Sequence, residues 1–364
     1  MSSPVWPGGR EAVRREVWAD AAKGACILLV VLWHVITKDY LRIGWRVEVP
    51  VPGAWGTLGD LLLTLRMPLF FTISGMFAAR ALRRPWATVA RTRVARFLYL
   101  YVLWVSIHTV LLGLTPGFDT TRAHDPAGFA EQLIITPPNL WYLYALALYF
   151  TLAKALRRVP APLLITAALA LSIAVAAWPA PLPGNRASLL QNLVFFLAGL
   201  YLRPHLERLA APTGARRAAL LGAGYAAALA VMTVAGAQRL PGVWPAVCAL
   251  AVAFGVSAAP LLAAVPAVGE GLARLGRRTL PVYVIHMPVL ALLDHALAGP
   301  LSAARGPASW YVLAALHPIL MTALVVVLCL LAETALRKAR ATWLFDLPSR
   351  TRRAAAEPVG DRQA

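Results

Sequence analysis

The sequence predicts an all-α, polytopic membrane protein of about ten transmembrane helices with both termini on the cytoplasmic side. Three observations carry that prediction: an apolar composition, ten apolar segments, and a basic-residue pattern that alternates between the gaps separating them. Of the 364 residues, 59% are hydrophobic and only 14% charged, and the mean hydropathy is +0.65. Soluble domains carry about 25% charged residues. One globular core could not hide this much apolar surface, so lipid must face part of it.

Reading with a window of about 19 residues gives segments at 18–37, 58–79, 96–114, 139–153, 162–178, 188–202, 218–235, 243–264, 280–298 and 310–336. The gaps on one side hold Arg10, Arg14 and Arg15, then Arg80, Arg83, Arg84, Arg91, Arg93 and Arg96, then Lys154, Arg157 and Arg158. The same side continues with Arg203, Arg208, Arg216 and Arg217, then Arg274, Arg277 and Arg278, and finally Arg337, Lys338, Arg340, Arg350, Arg352, Arg353 and Arg362. The alternate gaps hold Lys38, Arg42, Arg46, Arg122, Arg186, Arg239 and Arg305. With Lys23 and Arg66 inside segments, this division of 26, 7 and 2 covers all 35 basic residues. The side richer in Lys and Arg is cytoplasmic, and a missed or invented helix would scramble the alternation from that point on.

These features give three parts: a cytoplasmic segment 1–17, a ten-helix domain 18–336, and a basic tail 337–364 expected to be disordered and drawn to anionic lipid. The first seventeen residues hold no apolar stretch ending in a cleavage site, so the first helix is expected to direct insertion. The net charge of +19 is spent in topology-setting clusters, which argues against nucleic acid as a partner and for the lipid bilayer of the plasma (inner) membrane. Cys26, Cys248 and Cys329 fall in apolar segments at unrelated spacings, and no ligand spacing suggests a metal. The longest external loop, 115–138, carries Phe118, Asp119, Arg122, His124, Asp125 and Glu131. It is either a cover for a binding mouth or a solvated connector.

Charged side chains inside a membrane cost about 3 kcal/mol each near its centre, so each needs a reason. The first helix has the densest set. Asp20 and Lys23 are three apart and share a face. Lys23 and His34 are eleven apart, which places them within about 20° around the axis and about 16 Å along it. Gly24 leaves room for close backbone approach. In the second helix, Arg66 lies near mid-membrane and cannot lose its proton. Asp20, Asp60 or a bound ligand are its candidate partners. Ser74 can hydrogen-bond across helices, and Gly75 allows close packing. Tyr283 and His286 share a face in the ninth helix, with Asp294 and His295 at its outer end. His108 and His317 read as packing residues, and Trp141 and Tyr142 as members of an aromatic belt.

At these residues the sequence resembles the acyltransferase 3 family of integral membrane acyltransferases. The matching pieces stand in family order: Asp20, Lys23, Gly24 and His34; Arg66 to Gly75 in R-x-P-L-F-F-x-x-S-G; the basic run Arg91, Arg93 and Arg96; Leu140 to Leu143; and Tyr283 to Pro288. The resemblance covers about residues 16–336. The family commonly has Arg where this sequence has Lys23, a lysine shared with the sugar O-acetylase-like branch. Lysine keeps the charge but loses the bidentate fork for phosphate.

The resemblance implies transfer of an acyl group, most often acetyl from acetyl-CoA, onto a hydroxyl of a sugar, polysaccharide, glycolipid or related small molecule. His34 is the expected general base, with a transient acyl-histidine as a variant. Asp20 orients Lys23, and Arg66 stabilises the oxyanion or holds a donor phosphate. Lys23, Arg91, Arg93, Arg96, Ser74, Trp141, Tyr283 and His286 are the expected donor- and substrate-binding residues. Two rivals use the same residues: a secondary transporter or flippase, and a membrane sensor or scaffold.

Overall fold

The computed structural model describes residues 8–45, 50–115, 117–118, 120, 123–211, 214–303 and 309–348. Asp119, Arg122, Arg46, Arg305, the basic residues from Arg350 onward and the segments 1–7 and 349–364 lie outside the described residues. Among the described residues the protein is helical throughout, with no strand. The helices are α1 (Gly8–Lys38), α2 (Val51–Leu61), α3 (Leu63–Leu82), α4 (Trp86–Val89), α5 (Arg96–Gly113), α6 (Pro126–Ile134), α7 (Trp141–Ala155) and α8 (Ala161–Ala176). They continue with α9 (Arg186–Tyr201), α10 (Arg203–Leu209), α11 (Ala215–Val234), α12 (Val243–Ala264), α13 (Pro266–Arg277), α14 (Thr279–Ala303) and α15 (Ser309–Lys338). A π-helical turn, Ala90–Ala95, joins α4 to α5 without a break.

Each of the ten apolar segments coincides with a helix. Among the described residues, seven helices or fused pairs are long and apolar enough to cross a membrane: Val17–Arg42, Val51–Leu82, Trp86–Gly113, Ala215–Val234, Val243–Ala264, Thr279–Ser302 and Trp310–Lys338. The remaining three, α7, α8 and α9, have 15, 16 and 16 residues. Their lengths of about 22–24 Å fall short of a hydrocarbon core of about 30 Å. Four short helices, α4, α6, α10 and α13, were not expected. Asp125 caps α6 by accepting from the Gly128 amide at 2.7 Å, which is why that helix starts where it does. The amphipathic α13 lies against α1, and α10 follows α9 directly.

Helix α1 is the hub, packing against α3, α12, α13, α14 and α15. Two glycine crossings set the closest approaches. A Cβ on Gly24 would strike the Leu272 carbonyl and one on Gly276 the Asp20 carbonyl, so α1 and α13 touch backbone to backbone. Gly75 meets Phe196 of α9 in the same way, and Gly199 meets Thr72 of α3. Small residues give up side-chain volume there to let main chains approach. The first part of the expected tail also packs. Thr342–Leu344 form a 3-10 turn, Leu344 and Phe345 are buried, and Trp104 Nε1 donates to the Leu344 carbonyl at 2.7 Å.

Candidate active site

His34 on α1 and His286 on α14 meet in the interior, 6% and 0% exposed. His286 Nε2 lies 3.3 Å from His34 Nδ1. The partners assign the tautomers. His34 Nδ1 faces the Val30 carbonyl at 2.9 Å, and a carbonyl only accepts, so Nδ1 carries the proton. His286 Nδ1 likewise donates to the Tyr283 carbonyl at 2.8 Å, which leaves its Nε2 as an acceptor. The His34 Nδ1 proton is therefore shared between Val30 and His286. His34 Nε2 keeps its lone pair, the requirement for a general base.

Arg66, 4% exposed, enters from α3. Its guanidinium lies over the Trp33 ring, 4.4 Å from the centroid, and Nη1 donates to the Gly59 carbonyl at 3.2 Å. Its charge is within electrostatic reach of His34. Arg66 makes no ion pair among the described residues. Of the two expected partners, Asp20 is held elsewhere, by Lys23 at 2.6 Å and Arg277 at 3.7 Å. Asp60 is exposed and acts on Arg66 only through space.

A cavity of about 420 Å³ opens on the cation-rich side, where Lys23, Arg93, Arg96 and Arg277 surround its mouth. Ser74, Tyr142 and Tyr283 line it deeper in, with Phe70, Phe97 and Phe150 as apolar walls. The deep wall is a hydrogen-bonded lattice. Ser74 Oγ and Tyr142 Oη are 2.6 Å apart. The Tyr142 amide donates to Tyr283 Oη at 3.2 Å, and Tyr283 Oη donates to the Asn139 carbonyl at 2.7 Å. Behind Tyr283, with ring centroids 6.0 Å apart, stands His286. Ring contacts thus run from the cavity-lining Tyr283 through His286 to His34.

A family model described as an acyltransferase domain matches residues 16–335. The chain belongs to the acyltransferase 3 family. Among curated proteins it is similar to the inner membrane protein YcfT of Escherichia coli (strain K12), 28% identical over 203 residues. That alignment covers 52% of this chain and 56% of YcfT, so it spans little more than half of either protein. No solved structure matches the chain.

For this acyltransferase 3 chain, the structure separates the expected site residues into groups. Asp20 and Lys23 pair as expected, and Lys23, Ser74, Arg93, Arg96 and Tyr283 line one cavity. Arg91 does not join them. It is exposed and absent from the lining. Trp141 is buried behind the wall, its ring 5.6 Å from Phe71. Neither Trp141 nor Tyr142 belongs to a belt, since α7 packs against α3, α5 and α9 and both rings face inward. His108 is a packing residue as expected, with Nε2 donating to the Val284 carbonyl at 2.8 Å.

His317 departs from that reading. Its Nε2 lies 2.8 Å from Asp39 Oδ2, inside a shell formed by Tyr40, Trp45 and Trp310. Asp39 sits at the end of α1 and gave no sequence signal beyond its charge. Arg277 was also missed, because only the α1–α13 crossing brings it to Asp20. Among the described residues no group of His, Cys, Asp and Glu is arranged to hold a metal ion.

Proposed function

We propose that the protein is a membrane-bound O-acyltransferase moving an acyl group, most simply acetyl from acetyl-CoA, onto a hydroxyl of a sugar, polysaccharide, glycolipid or related small molecule. The observation that carries this reading is the His34–His286 pair, which leaves His34 Nε2 with its lone pair and is linked through Tyr283 to a cationic cavity. Lys23, Arg93, Arg96 and Arg277 hold the donor's phosphates. Its pantetheine arm passes Ser74 and Tyr142 toward Tyr283, and movement of these tyrosines admits the thioester to His34.

His34 Nε2 takes the proton of the acceptor hydroxyl as that oxygen bonds to the thioester carbonyl carbon. Arg66 stabilises the oxyanion. The carbon–sulfur bond then breaks, and the leaving thiolate takes the proton back from His34. His286 accepts from His34 Nδ1–H throughout, which favours the imidazolium. In this reading ten helices cross the inner membrane with both termini cytoplasmic. The alternating basic residues support that topology, and the similarity to the inner membrane protein YcfT supports that location.

The test is thiol release from acetyl-CoA and other acyl-CoAs by purified protein in nanodiscs, with and without a sugar or cell-envelope extract. Turnover is expected to need both the extract and His34. Wild-type turnover by a well-folded His34→Ala variant would remove the general base. No turnover with any donor would favour a secondary transporter or flippase, which moves substrate without covalent change.

A further inference from the structure

The donor cavity is the first of three cationic cavities with shared walls. A second, of about 190 Å³, also touches Phe77 and Arg93 and adds Arg80, Arg84 and Arg203. Arg84 in turn lines a third, of about 420 Å³, together with Arg83, Trp86, Lys154 and Arg157. No acidic side chain lines the third cavity.

Lys154 is the unusual member, because it is only 5% exposed and its ammonium donates to two carbonyls, Leu82 at 2.8 Å and Arg84 at 2.7 Å. An ammonium has three donors, and a buried cation ordinarily has an anion beside it. Arg83, Arg84 and Arg157 are exposed and form no ion pair among the described residues. Other cations of this face do have carboxylate partners: Arg278 and Arg337 share Glu333, and Arg203 holds Glu207. What sets this site apart is a buried ammonium in a concave lining that holds four cations and no carboxylate. Trp86, 47% exposed, stands at its edge.

We propose that Arg83, Arg84, Lys154 and Arg157 form a phosphate-binding site for a larger ligand, with the Trp86 indole packing on that ligand's apolar or heterocyclic part. Guanidinium groups suit phosphate because they donate in a planar fork. Two carriers present this chemistry here. One is the nucleotide end of a CoA donor lying along the linked cavities, which rests on the function proposed above. The other is the headgroup of an anionic phospholipid, which does not.

The test compares wild type with Arg84→Gln/Arg157→Gln in phosphatidylcholine nanodiscs. Lys154 is left intact because it caps the end of α3. CoA and 3′-dephospho-CoA affinities are read by calorimetry, and retention of added phosphatidylglycerol by native mass spectrometry. The variant is expected to lose at least about tenfold in affinity for one phosphate carrier. A loss seen with CoA but not 3′-dephospho-CoA identifies the 3′-phosphate, and a loss shared by both identifies the diphosphate. Loss of phosphatidylglycerol alone identifies a lipid headgroup. If wild type binds no CoA yet retains phosphatidylglycerol through these arginines, the donor reading fails and the phosphate site stands. Unchanged binding of all three by a monodisperse variant overturns the proposal, and the single Arg157→Gln variant repeats the comparison should the double variant not fold.

Discussion

Replacing His286 by alanine isolates what the second histidine does for the first. His34 keeps its 2.9 Å bond to the Val30 carbonyl, so the tautomer and the Nε2 lone pair survive. What is lost is the 3.3 Å contact to Nδ1, a long and weak bond while His34 is neutral. When His34 takes the acceptor's proton, the same contact becomes a hydrogen bond to a buried cation, worth about 1.5–3 kcal/mol. The loss therefore falls on the transition state, and kcat should drop about 10- to 150-fold. The donor KM should stay within about twofold, because the cationic mouth is untouched. Glutamine can place its amide oxygen near the Nε2 position, so His286→Gln should recover most of the loss. The assay is thiol release under saturating acyl-CoA, with melting temperature as the folding control. A His286→Ala rate above half of wild type would refute the coupling. A variant as inactive as His34→Ala, and not rescued by glutamine, would instead make His286 the proton carrier.

Arg96→Gln should raise the acyl-CoA KM about tenfold with little change in kcat, whereas Arg91→Gln should leave both unchanged, as steady-state titration will show. Gly75→Ala and Gly199→Ala drive a methyl group into a facing backbone carbonyl and should each cost about 1–3 kcal/mol. Gly224→Ala, with nothing within 4 Å of the new atom, should leave the melting temperature in detergent unchanged. His317→Ala strands the Asp39 carboxylate, 0% exposed, and should cost about 3–5 kcal/mol. The cost of the Asp39→Ala/His317→Ala double variant should fall well below the sum of the two single changes; additive costs would show that the two residues are uncoupled.

Much of the site was legible because it is local. Asp20, Lys23 and His34 lie on one stripe of one helix, and the 3.6-residue period places them there whatever α1 packs against. Arg91 could not be told from Arg93 and Arg96 in this way, because the π-helical turn Ala90–Ala95 departs from that period. Nor could Trp141 and Tyr142 be placed from the sequence. Aromatic residues at a helix start suit a membrane interface and a protein interior equally, and only the packing of α7 among α3, α5 and α9 decides between them.

The sequence by itself determined the helical class, the positions of the apolar segments and the residues facing one another within α1, because hydropathy and helical period act over a few turns of chain. Tertiary structure alone decided that His34 meets His286, 252 residues away, that Arg277 joins Asp20 and Lys23, and that Asp39 pairs with His317. Each of those contacts depends on the angle and depth at which two helices cross. Glycines such as Gly24 and Gly276 set those crossings by letting backbones touch, and nothing within a single helix encodes its partner.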